Sequence, residues 1–322
     1  LLSRRQRQMC IRDRTYSGTL RETGETIVPM KAGIVAFFAN LLLDYSLIFG
    51  KFGFPELGVR GAAIATVIAR IAEVAVVMAW AHSHTAEKPF IRGVYRSFHV
   101  PMDLVKEVIK KGTPLLLNET LWAGGMAMLV RCYSSRGLVV VAGINIATTL
   151  SNMFSIVYIA MGSAIGIILG QLLGAGKMEE AVDTDRKLIF FSVASCLGVA
   201  ILMIIVSPFF PQIYNTSDDV KYIAAWIIRV LAVCMPLNAF MNSTYFTLRS
   251  GGKTIVTFLF DSFYIWVVDI PAAILLINYT DWNVILVYFL VQMMEIVKCI
   301  IGYVLVKKGV WLNNMTIKAA NS

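Results

Sequence analysis

The sequence predicts an all-α polytopic membrane protein with eight transmembrane helices. Of its 322 residues, 57% are hydrophobic and only 15% are charged, and the mean hydropathy is +0.70. A soluble globular chain carries about 25% charged residues. Apolar runs of about 20 residues, long enough to cross a bilayer as a helix, recur between short polar loops.

The apolar runs define the helices, and the polar stretches define the loops. Thr15–Ile27 is predicted to be a polar connection, and Pro101–Lys111, with apolar and charged residues on opposite faces, a short helix in the membrane interface. Helix six is expected to be interrupted at Pro236, because proline removes a helical hydrogen bond. The predicted transmembrane segments are Pro29–Phe49, Gly61–Ala81, Thr113–Arg131, Val139–Leu173, Lys187–Phe209, Tyr222–Leu248, Thr254–Ile277 and Asn283–Leu305.

Residues 1–14 differ in composition from everything that follows. The segment LLSRRQRQMCIRDR carries five arginines, and the chain does not begin with methionine. It resembles a foreign, artefactual segment; the alternative is a basic juxtamembrane stretch. We leave it out of the fold prediction and expect the chain to be truncated at its amino-terminal end.

The basic residues are concentrated in alternate loops. Loops on one predicted side of the membrane hold 16 Lys and Arg, whereas loops on the other side hold five. The positive-inside rule places the first set and both termini in the cytoplasm. The net charge of +9 is therefore explained by topology, and no nucleic-acid partner is predicted.

One motif occurs twice. Thr19-Leu20-Arg21-x-x-Gly24-x-Thr26 recurs 228 residues later as Thr247-Leu248-Arg249-x-x-Gly252-x-Thr254, each time before a predicted helix, a short loop and another helix. Parallel repeats of six helices are one way in which transporters are built. The repeat predicts that helices one and two correspond to helices seven and eight.

Asn40 and Asp44 are the central polar residues of helix one. Their spacing of four places them on one helical face. A carboxylate near the middle of a bilayer costs at least about 2.5–3.5 kcal/mol and usually faces a bundle interior or a watery cavity. A structural hydrogen bond to a neighbouring helix is one explanation, and a cation or proton site is the other.

Four further acidic residues fall within predicted helices. They are expected to pair with basic residues or to extend toward the membrane surface, and Arg229 is expected to neutralise one of them. The acidic residues are Glu73, Asp261, Asp269 and Glu295, and the other candidate partners are Arg70 and Lys298.

Several motifs together resemble the MATE (multidrug and toxic compound extrusion) transporters, from Tyr16 to Thr316. The motifs are Leu20-Arg-x-x-Gly-x-Thr-x-x-Pro29, Ala39-Asn-Leu-Leu-Leu-Asp44, Phe52-Gly-Phe-Pro-Glu-Leu-Gly-Val-x-Gly-Ala-Ala-Ile-Ala-Thr66, Gly170-Gln-Leu-Leu-Gly-Ala-Gly-Lys177, Leu248-Arg-Ser-Gly-Gly252 and Trp311-Leu-Asn-Asn-Met-Thr316.

The resemblance implies a twelve-helix fold with two six-helix lobes. Residues 15–100 would then be a partial amino-terminal lobe with two transmembrane helices, and residues 101–322 a complete carboxy-terminal lobe with six. Asn40 and Asp44 match the cation-binding Asn and Asp of the family, and Thr66 matches a hydroxyl on the next helix. In the second lobe Asn238 stands where some members carry Asp, and Glu119 lies about one turn from another acidic position; both are secondary candidates.

The resemblance also implies a function. The expected activity is export of cationic or amphipathic drugs across the cytoplasmic membrane in exchange for Na⁺ or H⁺, with no other cofactor. Na⁺ prefers oxygen ligands, which Asp44, Asn40 and Thr66 would supply; H⁺ would bind Asp44 directly. Small drug-like molecules and membrane lipids are the expected partners, and no obligate protein partner is expected.

Two other functional classes are considered, a flippase and an enzyme. A flippase for lipids or lipid-linked oligosaccharides, from the same broader superfamily, would have a similar composition but would need several basic residues for phosphate, and little beyond Arg229 lies in mid-helix. An enzyme would need a nucleophile and base, or a metal cluster, at one depth; three peripheral histidines and scattered cysteines do not provide one.

Overall fold

The computed structural model describes residues 15–84 and 101–313, except for the side chains of Leu104, Glu107 and Lys111. Most of these residues are helical, and there is no strand among them. The chain divides into two compact units, residues 1–100 and residues 101–322. The segment 1–14, predicted to be foreign, lies outside the described residues.

Unit 1 contains two long helices, α1 (Ile27–Ile48) and α2 (Val59–Ser83). They pack closely, since a Cβ atom at Gly61 would lie 2.5 Å from the carbonyl oxygen of Leu47. Near the other end of the pair, a Cβ at Gly33 would lie 3.8 Å from Oε1 of Glu73. The helices are therefore antiparallel. Residues 15–22 are also helical, so the prediction of a plain polar connection was wrong there.

Unit 2 contains six helices, and α6 lies at its centre. α6 contacts α4, α5 and α8, and its side chains Ile223 and Asn242 pack directly against Gly143 and Gly162 of α4. The main hydrophobic core is formed by α4, α5 and α6, together with Ile277 and Val287. The helices are α3 (Met102–Ser134), α4 (Leu138–Gly174), α5 (Met178–Val206), α6 (Asp218–Ser250), α7 (Thr254–Tyr279) and α8 (Val284–Lys307).

All eight predicted transmembrane segments are helices, but some extend further than predicted. The prediction of a separate interfacial helix over Pro101–Lys111 was wrong, because α3 runs from Met102 through Pro114 without a break. Pro236 likewise lies inside a continuous α6. Proline has a helical φ and removes one backbone donor, so a long packed helix accommodates it.

α5 begins nine residues before its predicted start. Its first turns carry Glu179 and Glu180 near the positive end of the helix dipole. Asp183 and Lys187 form an ion pair of 2.5 Å at i,i+4 spacing. These local contacts stabilise a helical extension whose residues are too polar to belong to the apolar run.

Of the helices α1 to α8 in the described part of the chain, seven are long and apolar enough to cross a membrane. α3 has the length, with 33 residues, but its first turns are charged. Large apolar side chains are exposed along the helices; in α1, Phe37 and Leu42 are each 63% exposed. Contiguous apolar surface of this kind suits a lipid environment. The chain is a multi-pass membrane protein.

The two copies of the repeated motif have the same local structure. Gly24 and Gly252 both have positive φ, of 89° and 71°, a conformation that favours glycine. Leu20 and Leu248 are both fully buried. Leu20 packs with Val77 and Trp80, and Leu248 packs with Leu305 and Trp311. Leu305 follows Val77 by the same 228 residues, so the repeat extends to the second helix of each pair.

The contact at Gly61 leads to a stability prediction. We expect Gly61→Ala to lower the free energy of unfolding by about 1–3 kcal/mol, because the added methyl group overlaps the backbone of Leu47. Gly198→Ala is the matched control, since a Cβ there meets no atom within 4 Å. Removing glycine from a helix should stabilise the control by up to about 1 kcal/mol. Thermal unfolding in detergent measures both, and equal effects would contradict the packing.

Candidate functional site

Asn40 and Asp44 lie on the part of α1 that continues the buried stripe Pro29, Ala32, Ala36 and Leu47. Both residues are half-buried. Nδ2 of Asn40 and Oδ1 of Asp44 are inaccessible to solvent and have no hydrogen-bond partner. A buried polar atom without a partner costs about 1–3 kcal/mol, and more when it is charged. These two buried atoms lie one helical turn apart, and neither has a hydrogen-bond partner among the described residues.

Thr66 lies on α2, at the level of the turn that contains Asn40. This follows from the antiparallel register set by the contacts of Gly61 and Gly33. Its hydroxyl donates a hydrogen bond of 2.9 Å to the carbonyl oxygen of Ala62, within its own helix. Because the proton is used there, the oxygen lone pairs remain available as acceptors.

These groups are chemically suited to a small cation. Oδ1 of Asp44 supplies a negative oxygen, and Thr66 supplies a neutral one. Rotation of the Asn40 amide by half a turn exchanges its nitrogen and oxygen, which would place a third oxygen at the unpartnered position. Hard cations such as Na⁺ prefer oxygen ligands of this kind.

The neighbouring acidic residue of unit 1 is neutralised. Glu73 on α2 accepts a hydrogen bond of 2.6 Å from Arg70, three residues earlier on the same helix. The expected pairing is therefore present. Glu73 has its own cation, whereas Asp44 has no hydrogen bond at Oδ1.

In unit 2, the two secondary candidates do not form one site with each other. Glu119 is exposed on α3, whereas Asn238 is half-buried on α6. The polar centre of this unit is formed by the residue next to Glu119. Asn118 is only 1% exposed, and its position was not predicted.

Asn118 connects three helices of unit 2. Ser262 on α7 donates hydrogen bonds to the backbone oxygen of Asn118 at 2.6 Å and to its Oδ1 at 2.7 Å. Nδ2 of Asn118 then donates to Asp261 on α7 at 3.2 Å and to the hydroxyl of Tyr245 on α6 at 3.4 Å. The serine fixes the amide so that its donors point at the carboxylate and the phenol.

Lys298 on α8 completes this network. Its ammonium lies 3.2 Å from Oδ1 of Asp261 and 3.5 Å from Oε2 of Glu295. The predicted pairing of these two acids with Lys298 is present. Arg229 was expected to neutralise an acid, and this was wrong: its Nε donates to Ser207 and its guanidinium lies over the ring of Trp226. No ion pair involves Arg229 in the described part of the chain.

Asp269 is the acidic residue of unit 2 whose predicted pairing is missing. It is 3% exposed, and its Oδ1 has no hydrogen-bond partner. Among the described residues, no basic side chain forms an ion pair with it. Its place on an apolar helix singles Asp269 out in the sequence, but whether a basic residue reaches it depends on how α7 packs against α8.

We expect Asn118→Ala to destabilise unit 2 by about 1–3 kcal/mol, because it removes one hydrogen bond each from Ser262, Tyr245 and Asp261. Thr120→Ala is the control on the same helix: its exposed hydroxyl bonds only to the carbonyl of Leu116, so the change should stay within about 0.5 kcal/mol. Denaturant unfolding in micelles measures both. A neutral Asn118→Ala would mean that the network does not contribute to stability.

Comparison with known proteins identifies relatives that match most of the chain. A probable multidrug resistance protein, NorM, of Thermotoga maritima is 25% identical over 266 residues, covering 82% of this chain and 56% of that protein. A probable multidrug resistance protein, YoeA, of Bacillus subtilis is 25% identical over 269 residues, covering 84% and 58%. The chain thus spans little more than half the length of these relatives.

Solved structures show the same fold. One, described as the outward-facing conformation of a multidrug resistance MATE family transporter of the MOP superfamily, superposes with a TM-score of 0.81 over 92% of this chain and 66% of that one, at 19% identity. The MatE family model matches residues 114–275, half of the sequence and most of unit 2. The fold and this match together show that the chain belongs to the MatE family.

Proposed function

We propose that this chain forms part of a cation-coupled antiporter that exports cationic or amphipathic compounds across the cytoplasmic membrane. The observation that supports this most directly is the pair of unpartnered buried atoms on α1, Oδ1 of Asp44 and Nδ2 of Asn40. Membrane proteins keep ionisable groups within apolar helices mainly on ion and proton pathways. The names of the relatives, multidrug resistance proteins, support the class of cargo.

In this proposal Asp44, Asn40 and Thr66 bind the coupling ion, Na⁺ or H⁺. With Na⁺ bound, the carboxylate charge is neutralised and the neutral oxygens replace water ligands. With H⁺, the carboxyl group itself carries the proton. In either case ion binding changes the charge of a buried position, and a cationic cargo and the ion compete for the same negative potential. Exchange then needs no nucleotide, and the protein is not an enzyme.

Units 1 and 2 would be a partial amino-terminal lobe and a carboxy-terminal lobe of six helices. The distribution of basic residues supports cytoplasmic positions for both ends of the chain. Lipids and small molecules are the partners this arrangement needs. Asn238 and Glu119 remain secondary candidates for binding the coupling ion. Neither of them is part of the Asn118 network.

The basic residues argue against the flippase alternative. A phosphate-bearing lipid would need unoccupied cations at mid-helix positions. In the described part of the chain, Arg70 is paired with Glu73 and Lys298 with Asp261 and Glu295. Arg229 is held by Trp226 and Ser207. The mid-helix cations are thus already engaged.

The test measures drug efflux from a drug-susceptible bacterium that expresses the gene encoding this chain. Asp44→Asn should reduce efflux of a cationic dye to the level of the empty vector, because the amide cannot exchange charge. Asp218→Asn is the control, since its side chain is fully exposed at the start of α6. Efflux is measured with and without Na⁺, and with and without a proton gradient. Unchanged, ion-dependent efflux by Asp44→Asn would refute the proposed site.

A further inference from the structure

The acidic residues of unit 2 lie in a row along α7 and α8. Asp261 and Asp269 are eight residues apart on α7, about 12 Å along a helix axis. Two contacts between the antiparallel helices set the register: Lys298 meets Asp261, and the hydroxyl of Tyr264 donates to the carbonyl oxygen of Met294 at 2.7 Å. Glu295, next to Met294, therefore lies at a level between the two aspartates.

The row has more negative charge than the structure compensates. Asp261 receives both the ammonium of Lys298 and the amide of Asn118. Oε2 of Glu295 lies 3.5 Å from the same ammonium but has no hydrogen bond. Asp269 has no cation and an unpartnered Oδ1, although it is 97% buried. One ammonium cannot balance three carboxylates, and an uncompensated buried charge is strongly destabilising.

The backbone around these residues is also unusual. Leu259–Phe263 and Ile265–Asp269 are π-helical turns, and each contains one of the two aspartates. Pro271 follows directly and lacks the N–H that an α-helix would use. π-helical turns within α-helices are frequently found at functional sites. Both aspartates thus lie on the irregular part of α7.

We propose that Asp269 is a proton-binding residue, the buried end of a row of carboxylates in unit 2 that includes the partners of Lys298 and is separate from Asp44. Hydronium donates a proton to the carboxylate and leaves water, and the reverse step releases it. This inference does not depend on the proposed function, because it concerns other residues in the other unit.

A proton suits this position better than a metal ion. In the described ranges no three His, Cys, Asp or Glu side chains converge to hold a metal. A proton needs only one carboxylate oxygen, and it removes the charge. The titratable and charged groups that act on the row from the surrounding helices are Tyr133 on α3; Cys234 and Tyr245 on α6; Tyr264 on α7; and Lys298 and Cys299 on α8.

The repeat provides an independent comparison. Asn40 corresponds, at an offset of 228, to Val268, the neighbour of Asp269. Arg70 corresponds to Lys298, and both basic residues pair with a glutamate three positions away on their own helix. The two helix pairs therefore carry a polar position on the first helix and an ion pair on the second. By the same offset Asp269 corresponds to Leu41, so its carboxyl group has no acidic counterpart in unit 1.

Infrared difference spectroscopy of the chain in lipid nanodiscs tests the proposal. Spectra recorded between acidic and alkaline buffers report the C=O stretch of protonated carboxyl groups, which shifts in D₂O. Asp269→Asn should remove a buried carboxyl band that is present in the wild type. Asp183→Asn should leave that band unchanged, because Asp183 is an exposed residue paired with Lys187.

Asp269→Glu is the second variant, and it keeps the proposal testable if the asparagine variant does not fold. It retains a carboxyl group with a different C=O frequency, so the buried band should move rather than vanish. Difference spectra of Asp269→Asn or Asp269→Glu that coincide with the wild-type spectrum would overturn the proposal. Loss of the same band in Glu295→Gln but not in Asp269→Asn would also overturn it, by assigning the proton to Glu295.

Discussion

A charge held among apolar helices must be compensated, and this constraint explains the positions of most polar residues in the chain. Arg70 neutralises Glu73 in unit 1, and Lys298 neutralises Asp261 in unit 2. Asp261 also accepts a hydrogen bond from Asn118. A charged group without a compensating partner is costly in a membrane. Asp44 and Asp269, which form no ion pair among the described residues, therefore need a functional explanation.

The two copies of the repeat compensate a buried charge in a similar way, with an ion pair on the second helix of each pair. Gly24 and Gly252 turn the chain with positive φ, and the buried Leu20 and Leu248 fix the helices that follow. The helices then hold an ion pair on the second member of each pair. Unit 2 departs from this plan in α7, where Pro271 and the π-helical turns bring acidic residues to positions that have no acidic counterpart in α1.

The fold class and family followed from the sequence because long apolar runs and local motifs carry them. The helix positions were predicted to within a few residues in most cases, as for α8. Errors occurred where local contacts extended a helix into polar residues, as in α5, or where a proline was accommodated, as at Pro236. Composition alone contains neither kind of information.

The site was less predictable, because it depends on which helices touch. Asn40 and Asp44 stand out by spacing alone, and their role stays a prediction. Asn118 gave no signal, since its importance comes from Ser262, Tyr245 and Asp261 on other helices. The partner of Arg229 was predicted wrongly because an arginine near a ring and a hydroxyl needs no carboxylate.

Two titratable positions with different surroundings would divide the work of an exchanger. Asp44 lies one turn from the Asn40 amide, and Thr66 is near the same level on α2, whereas Asp269 lies at the end of a row of acids of which two contact one ammonium. The first arrangement suits an ion that needs several oxygens, and the second suits a proton, which needs one. A single lysine shared by several carboxylates also changes its favoured partner when one of them gains or loses a proton. In the proposal, a proton bound at Asp269 would therefore change the charge that Lys298 balances together with Asp261 and Glu295.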